Sequence, residues 1–236
     1  MVARSVSLSP LPDVAVGEPV RPTLIAHPHL GLFGEHCAAF RAEVGPFATL
    51  NDPGNPAHWA ELRTLVPGRT IAVVNVPAEQ VPTDWTLVRR IVGRVMVDPV
   101  SRRPDDRDLV ALGDADVPAM VDLVGRTQPG PFAERTIALG GYLGIVGPDG
   151  DLRAMAGRRF TAPDAIEISA VCADAAHRGQ GLARRVVHAV SAAIQADGAV
   201  PYLHVADDNT PAIGLYEAMG FETHRPACFV VLTPPT

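Results

Sequence analysis

Six residues, Arg178-Gly179-Gln180-Gly181-Leu182-Ala183, bring together a fixed positive charge, two glycines and the start of an apolar repeat. Glycine lacks a Cβ, so the backbone at Gly179 and Gly181 can take left-handed dihedrals and come close to a bound group. Downstream, Leu182, Val186, Val190 and Ile194 recur every four residues with Arg184, Arg185 and His188 on the other side, the pattern of an amphipathic helix. Upstream, Ile166 to Cys172 alternates apolar and polar residues as a strand does. A strand, a glycine turn and a helix together aim unpaired N–H groups and the positive end of the helix dipole at one point. That point suits an anion. No Lys-Ser/Thr follows the second glycine, so the loop is not a Walker motif. Taken alone it predicts an anion site, and a tight strand-to-helix turn with no ligand fits it equally well. A second string, Arg90-Ile91-Val92-Gly93-Arg94-Val95, matches half the pattern but ends in Val within a strand-like run, and is read as structure.

The elements that must position this loop follow from periodicity and turn chemistry. The densest charge run, Ser101 to Asp108, contains Pro104 and marks a domain boundary. Before it, helices are expected over His29 to Phe40 and Pro56 to Leu65, and strands over Thr70 to Val76 and Ile91 to Val97. After it come a short strand at Leu109 to Leu112, a helix capped by Asp114 that runs to about Val124, and a helix over Phe132 to Leu139. Tyr142 to Val146 and Leu152 to Phe160 flank Gly147-Pro148-Asp149-Gly150, which is hairpin chemistry. The remainder predicts a strand at Tyr202 to Val205, a helix from Pro211 to Gly220 and a last strand ending near Leu232.

The loop resembles the Arg/Gln-x-x-Gly-x-Gly/Ala pyrophosphate signature of the GNAT superfamily of N-acetyltransferases. Two flanking stretches agree with it in order: Glu167 to Cys172 resembles that superfamily's central strand, and Asn209 to Phe221, with Leu215-Tyr216-Glu217 and Gly220-Phe221, resembles its later segment. The resemblance covers residues 109 to 236. It implies an α/β (α+β) fold, a GNAT-like mixed sheet with flanking helices, preceded by a smaller α/β domain at residues 1 to 108 that can be read as a degenerate unit of the same fold. It implies acetyl-CoA as cofactor, with Arg178, Gly179, Gln180, Gly181, Leu182 and Ala183 around the pyrophosphate, and Val171 and Cys172 beside the pantetheine and thioester. Asn209 would bond the pantetheine arm as well as cap its helix ahead of Pro211.

The activity implied is transfer of an acetyl group to a primary amine of a small molecule or peptide by direct attack on the thioester. Such a transfer needs a neutral amine and a proton for the departing thiolate. Glu167 resembles the carboxylate that removes the ammonium proton directly or through water. A substrate-orienting carboxylate, a solvent-facing strand residue and a water chain stay open beside that role. Tyr216 matches the tyrosine that protonates the sulfur, since a phenol of pKa about 10 can donate to a thiolate of pKa about 8.5. Cys172 is read as packing, as is His204, a lone histidine in a β run. A second reading keeps the loop but not turnover: an acyl-CoA-binding sensor.

Composition sets the outer limits. With 236 residues, 47% hydrophobic and 19% charged, the chain can bury a substantial core. A net charge of -6, with all the basic residues arginine, argues against nucleic acid as partner and suits a neutral or cationic one. Three scattered cysteines, Cys37, Cys172 and Cys228, fit neither a disulfide framework nor a zinc site, so no metal is expected. No apolar stretch has signal-peptide or membrane-span character, which points to a cytoplasmic protein without a membrane partner. The N-terminal segment, lacking an intact loop signature, is expected to wall the acceptor cleft or to support a homo-oligomer.

Overall fold

The computed structural model describes residues 17–99 and 108–235. Its strands are β1 (Gly31–Phe33), β2 (Cys37–Phe40), β3 (Phe47–Leu50), β4 (Ile71–Val74), β5 (Thr86–Val97), β6 (Leu109–Ala111), β7 (Leu143–Val146), β8 (Leu152–Ala162), β9 (Ala165–Ala173), β10 (Val200–Ala206) and β11 (Glu222–Thr233). Five α-helices among the described residues flank them: α1 (Val20–Ala26), α2 (Pro56–Leu65), α3 (Val117–Thr127), α4 (Leu182–Ala196) and α5 (Thr210–Ala218). All these strands join one mixed sheet in the order β1-β2-β3-β4-β11-β5-β10-β9-β8-β7-β6.

That order carries a repeat. In the first half β1, β2 and β3 pair antiparallel, α2 follows β3, and β4 returns parallel to β3. In the second half β7, β8 and β9 pair antiparallel, α4 follows β9, and β10 returns parallel to β9. The last strand of each half then crosses into the other: β5 pairs with β10, and β11 pairs with β4, while β5 and β11 pair with each other along most of their length. Helix-linked parallel returns require a crossover, whereas the long central pair is antiparallel and closes the sheet without one. The boundary expected at Ser101 to Asp108 falls almost wholly outside the described residues, and the strands on its two sides interleave in one sheet.

Packing follows the same plan. Val186, Val187, Val190 and Ile194 of α4 are fully buried against Met96, Ala154, Ala156, Leu203 and neighbouring residues, each contributing roughly 1.5–3 kcal/mol by area. Another core joins Phe40, Phe47 and Val74 from the first half to Phe160, Val200 and Tyr202 from the second.

Most expected elements form where periodicity placed them, including α2, the β7–β8 hairpin, β9, α4 and α5. Two expected helices do not. His29 to Phe40 is a single 3-10 turn followed by the β1–β2 hairpin. There the Glu61 carboxylate accepts the backbone N–H groups of Glu35 and His36, holding a tight turn that a helix could not contain. Phe132 to Leu139 keeps only a 3-10 turn at Thr136–Leu139, because the Thr136 hydroxyl bonds the Ala133 amide and the Val44 carbonyl instead of continuing a helix. The helix assigned to Asp114 starts later, at Val117, and Asp116 turns back to accept from the Gly113 amide at 2.8 Å.

Candidate active site

The parallel pairing of β9 with β10 ends after Tyr202↔Glu167, although β9 runs on to Ala173 and β10 to Ala206. The two strands splay apart. Ala170 sits in the left-handed region at φ 52°, where the register against β8 also shifts, so a bulge bends β9 away at this place. Between the splayed strands opens a cleft of about 690 Å³. Val171, Cys172, Arg178, Asn209 and Tyr216 line one end of it, and Glu167 and His204 border it near the apex.

At the open end, the glycine loop meets α4. Gly179 and Gly181 have φ of 80° and 72°, the dihedrals only glycine takes freely, and a Cβ on either would meet nothing within 4 Å. The space over the loop is open. No side chain caps α4, and its first turn is closed by the Arg185 amide donating to the Gly181 carbonyl, so the amides of Leu182, Ala183 and Arg184 precede that bond. Asp174, ion-paired to Arg126, accepts from the Ala176 amide at 2.8 Å and fixes the turn that leads into the loop. The equivalent helix of the first half is built differently: Asn55 caps α2 by accepting from Ala57 at 3.0 Å, and Asp52 accepts from Gly54 beside it. A helix start whose amide is already taken by a side-chain cap, with a carboxylate in the preceding turn, is a poor place for an anion. Titration calorimetry is therefore expected to give one coenzyme A per chain, and a second site of similar affinity would refute this contrast.

The cleft's apex holds a buried charge cluster. Arg159 of β8 donates two 2.6 Å hydrogen bonds to the Glu167 carboxylate, and His204 Nδ1 lies 2.7 Å from Glu167 Oε1. Burial pushes the Glu167 carboxyl up, but Arg159 and His204 beside it more than reverse this, down to about 2. Arg159 also stacks 4.7 Å from the ring centres of both Phe47 and Phe160, which ties β3 to the cluster. A carboxylate held this low is a poor acceptor of protons, which weighs against the base role expected of Glu167. Arg159 was not foreseen from sequence, yet two signals were present: a charge inside the apolar run of β8, and the Pro163-Asp164 turn that folds β8 onto β9.

Burial likewise sets the state of the other candidates. It pushes the Tyr216 phenol well above its ordinary range, so the group stays a proton donor at neutral pH. It raises the Cys172 thiol to about 11, which suits the packing role against Met120 and Met155. Asn209 caps α5 by accepting from the Ala212 amide at 3.3 Å. Of the acidic residues nearby, Glu167 is bound as described and Asp207 pairs with Arg94 at 2.8 Å, while Asp208 lines the cleft. Toward β5 and β11 the cleft is walled by Phe47, Ala72, Ile91, Phe229 and Val231, with Arg89 opposite Val231. Phe47, Ala72 and Ile91 come from the first half of the chain.

Residues 142–230 match the family model of FR47-like proteins. A GNAT-family acetyltransferase from Novosphingobium aromaticivorans is 34% identical, with a TM-score of 0.84 over 94% of this chain and 99% of its own. The chain belongs to the GNAT family. A GCN5-related N-acetyltransferase from Kribbella flavida shares the fold at 18% identity, TM-score 0.58, with 92% of this chain and 96% of that one aligned. A GCN5-related N-acetyltransferase-like protein from Streptococcus suis does so at 18% identity and TM-score 0.53, covering 86% and 88%. No curated protein matches the sequence. Among the described residues, no helix is long and apolar enough to cross a membrane.

Proposed function

We propose that this protein transfers an acetyl group from acetyl-CoA to a primary amine carried on an apolar body. The observation that carries this is a single cleft lined by Arg178, which leads into the uncapped glycine loop, by Tyr216, and by the apolar Phe47, Ile91 and Phe229. The family and the loop geometry support acetyl-CoA as the group it accepts, and acetyl-CoA supplies an activated thioester when bound. The amides at Leu182 and Ala183, with Arg178, Gly179, Gln180 and Gly181, would hold its pyrophosphate. Val171, Cys172 and Asn209 line the path of the pantetheine arm, and Tyr216 gives its proton to the departing sulfur. Residues from the first half close off the acceptor compartment, which gives that segment its role. The three cysteines are free thiols, as befits a reducing compartment such as the cytoplasm.

The test follows thiol release with acetyl-CoA and a panel of apolar primary amines. Tight coenzyme binding without thiol release for any amine would favour a sensor, a reading to which the fully engaged Glu167 lends some weight. Where turnover is seen, Tyr216→Phe is expected to lower kcat by about 100-fold with acetyl-CoA affinity little changed, the range for loss of a general acid. An unchanged kcat would remove Tyr216 from the mechanism.

A further inference from the structure

The charge cluster at the apex contains one polar atom that nothing satisfies. His204 Nδ1 is taken by Glu167, but His204 Nε2 is buried and has no hydrogen-bond partner, although the ring borders the cleft. A buried polar atom without a partner is costly to keep, on the order of 1–3 kcal/mol, and functional sites are where such atoms persist. The ring itself cannot turn away. Tyr202, Phe160 and Phe229 hold it edge-on, with ring centres 5.7, 6.3 and 5.0 Å away.

We propose that His204 is the base that deprotonates the acceptor, and that Glu167 and Arg159 position it. This deepens the acetyltransferase reading and rests on it. A carboxylate on Nδ1 fixes a proton on that nitrogen, so in the neutral ring the lone pair lies on Nε2. Arg159 keeps Glu167 ionised so that it can only accept. The groups facing His204 are therefore Glu167 from β9, Arg159 behind it on β8, and the rings of Phe160, Tyr202 and Phe229. In the reaction, Nε2 takes one proton from the substrate ammonium and passes it to solvent. The freed nitrogen pair forms the bond to the acetyl carbon as the carbon–sulfur bond breaks. Tyr216 protonates the sulfur, and the second proton lost by the nitrogen restores the phenol.

Two measurements test this. In the full chain saturated with coenzyme A, the imidazole 15N signals of His204 should show a protonated Nδ1 and a bare Nε2 at neutral pH. A proton on Nε2, alone or together with Nδ1, would overturn the assignment. Kinetically, His204→Gln is expected to lose about 100-fold or more in kcat on benzylamine, which is mostly protonated at neutral pH, and less than about 10-fold on phenylhydrazine, which is mostly neutral. Equal losses on both probes would mean a structural role and sink the proposal. If wild-type protein binds acetyl-CoA but turns over neither probe, the acetyltransferase reading fails and the base role falls with it, whereas turnover of both probes with equal losses in His204→Gln sinks the base role alone.

Discussion

Gly181→Asp is expected to weaken acetyl-CoA binding by about 100-fold or more without unfolding the protein. The two effects separate because Gly181 is exposed at the start of α4 and contributes nothing to the core, so the fold meets only local backbone strain. A side chain at φ 72° costs roughly 1–2 kcal/mol, and a cap hydrogen bond does not offset it, because capping needs the extended backbone that Gly181 lacks. Tm should therefore fall by no more than roughly 2–8 °C, with folding retained. The coenzyme meets the opposite situation: the new carboxylate fills the open space over the loop and repels the charge of the pyrophosphate. Two like charges about 4 Å apart near a surface repel by up to about 4 kcal/mol. Calorimetric titration of acetyl-CoA into wild type and variant reads the change directly, and an unaltered affinity would remove the loop from the coenzyme site.

The second large effect concerns stability. Arg159→Leu should destabilise the fold by about 3–5 kcal/mol, because it leaves the fully buried Glu167 carboxylate without its bidentate partner. For a chain of this size that is a fall in Tm of roughly 10 °C. The double variant Arg159→Leu with Glu167→Leu should recover part of it, since neither charge then needs a partner. The pH dependence has a definite sign. Glu167 is held near 2 in the folded chain against an ordinary 4.5, so its contribution is complete above about 4.5 and is lost as pH falls toward 2. Arg159→Leu should flatten that part of the acid-unfolding curve. A wild-type stability indifferent to both changes would show that the cluster is solvated and not buried.

The alternation of Ile166 to Cys172 and the four-residue repeat of α4 made the strand, loop and helix legible in the sequence, because both depend on local periods and on one glycine turn. Local signals were weaker in the first half. His29 to Phe40 carries apolar residues at spacings that suit a helix, but the Glu61 carboxylate, some 25 residues away in sequence, holds it as a hairpin. The fate of Glu167 could not be read from its strand alone. Position on β9 made it a candidate base; the groups that meet it, Arg159 and His204, come from β8 and β10, and only their approach drives its carboxyl to about 2.

By itself, then, the sequence determined a glycine turn between a strand and a helix, and its resemblance to the GNAT signature supplied the expectation of a coenzyme there. Tertiary structure decided the rest. The exchange of β5 and β11 between the two halves brought residues of the first half into the wall of the cleft, and side chains from three neighbouring strands turned Glu167 from a lone carboxylate into the hydrogen-bond partner of Arg159 and His204. Helix starts and glycine turns are made by residues adjacent in the chain. Ion pairs in a core are made by residues that only folding brings within reach.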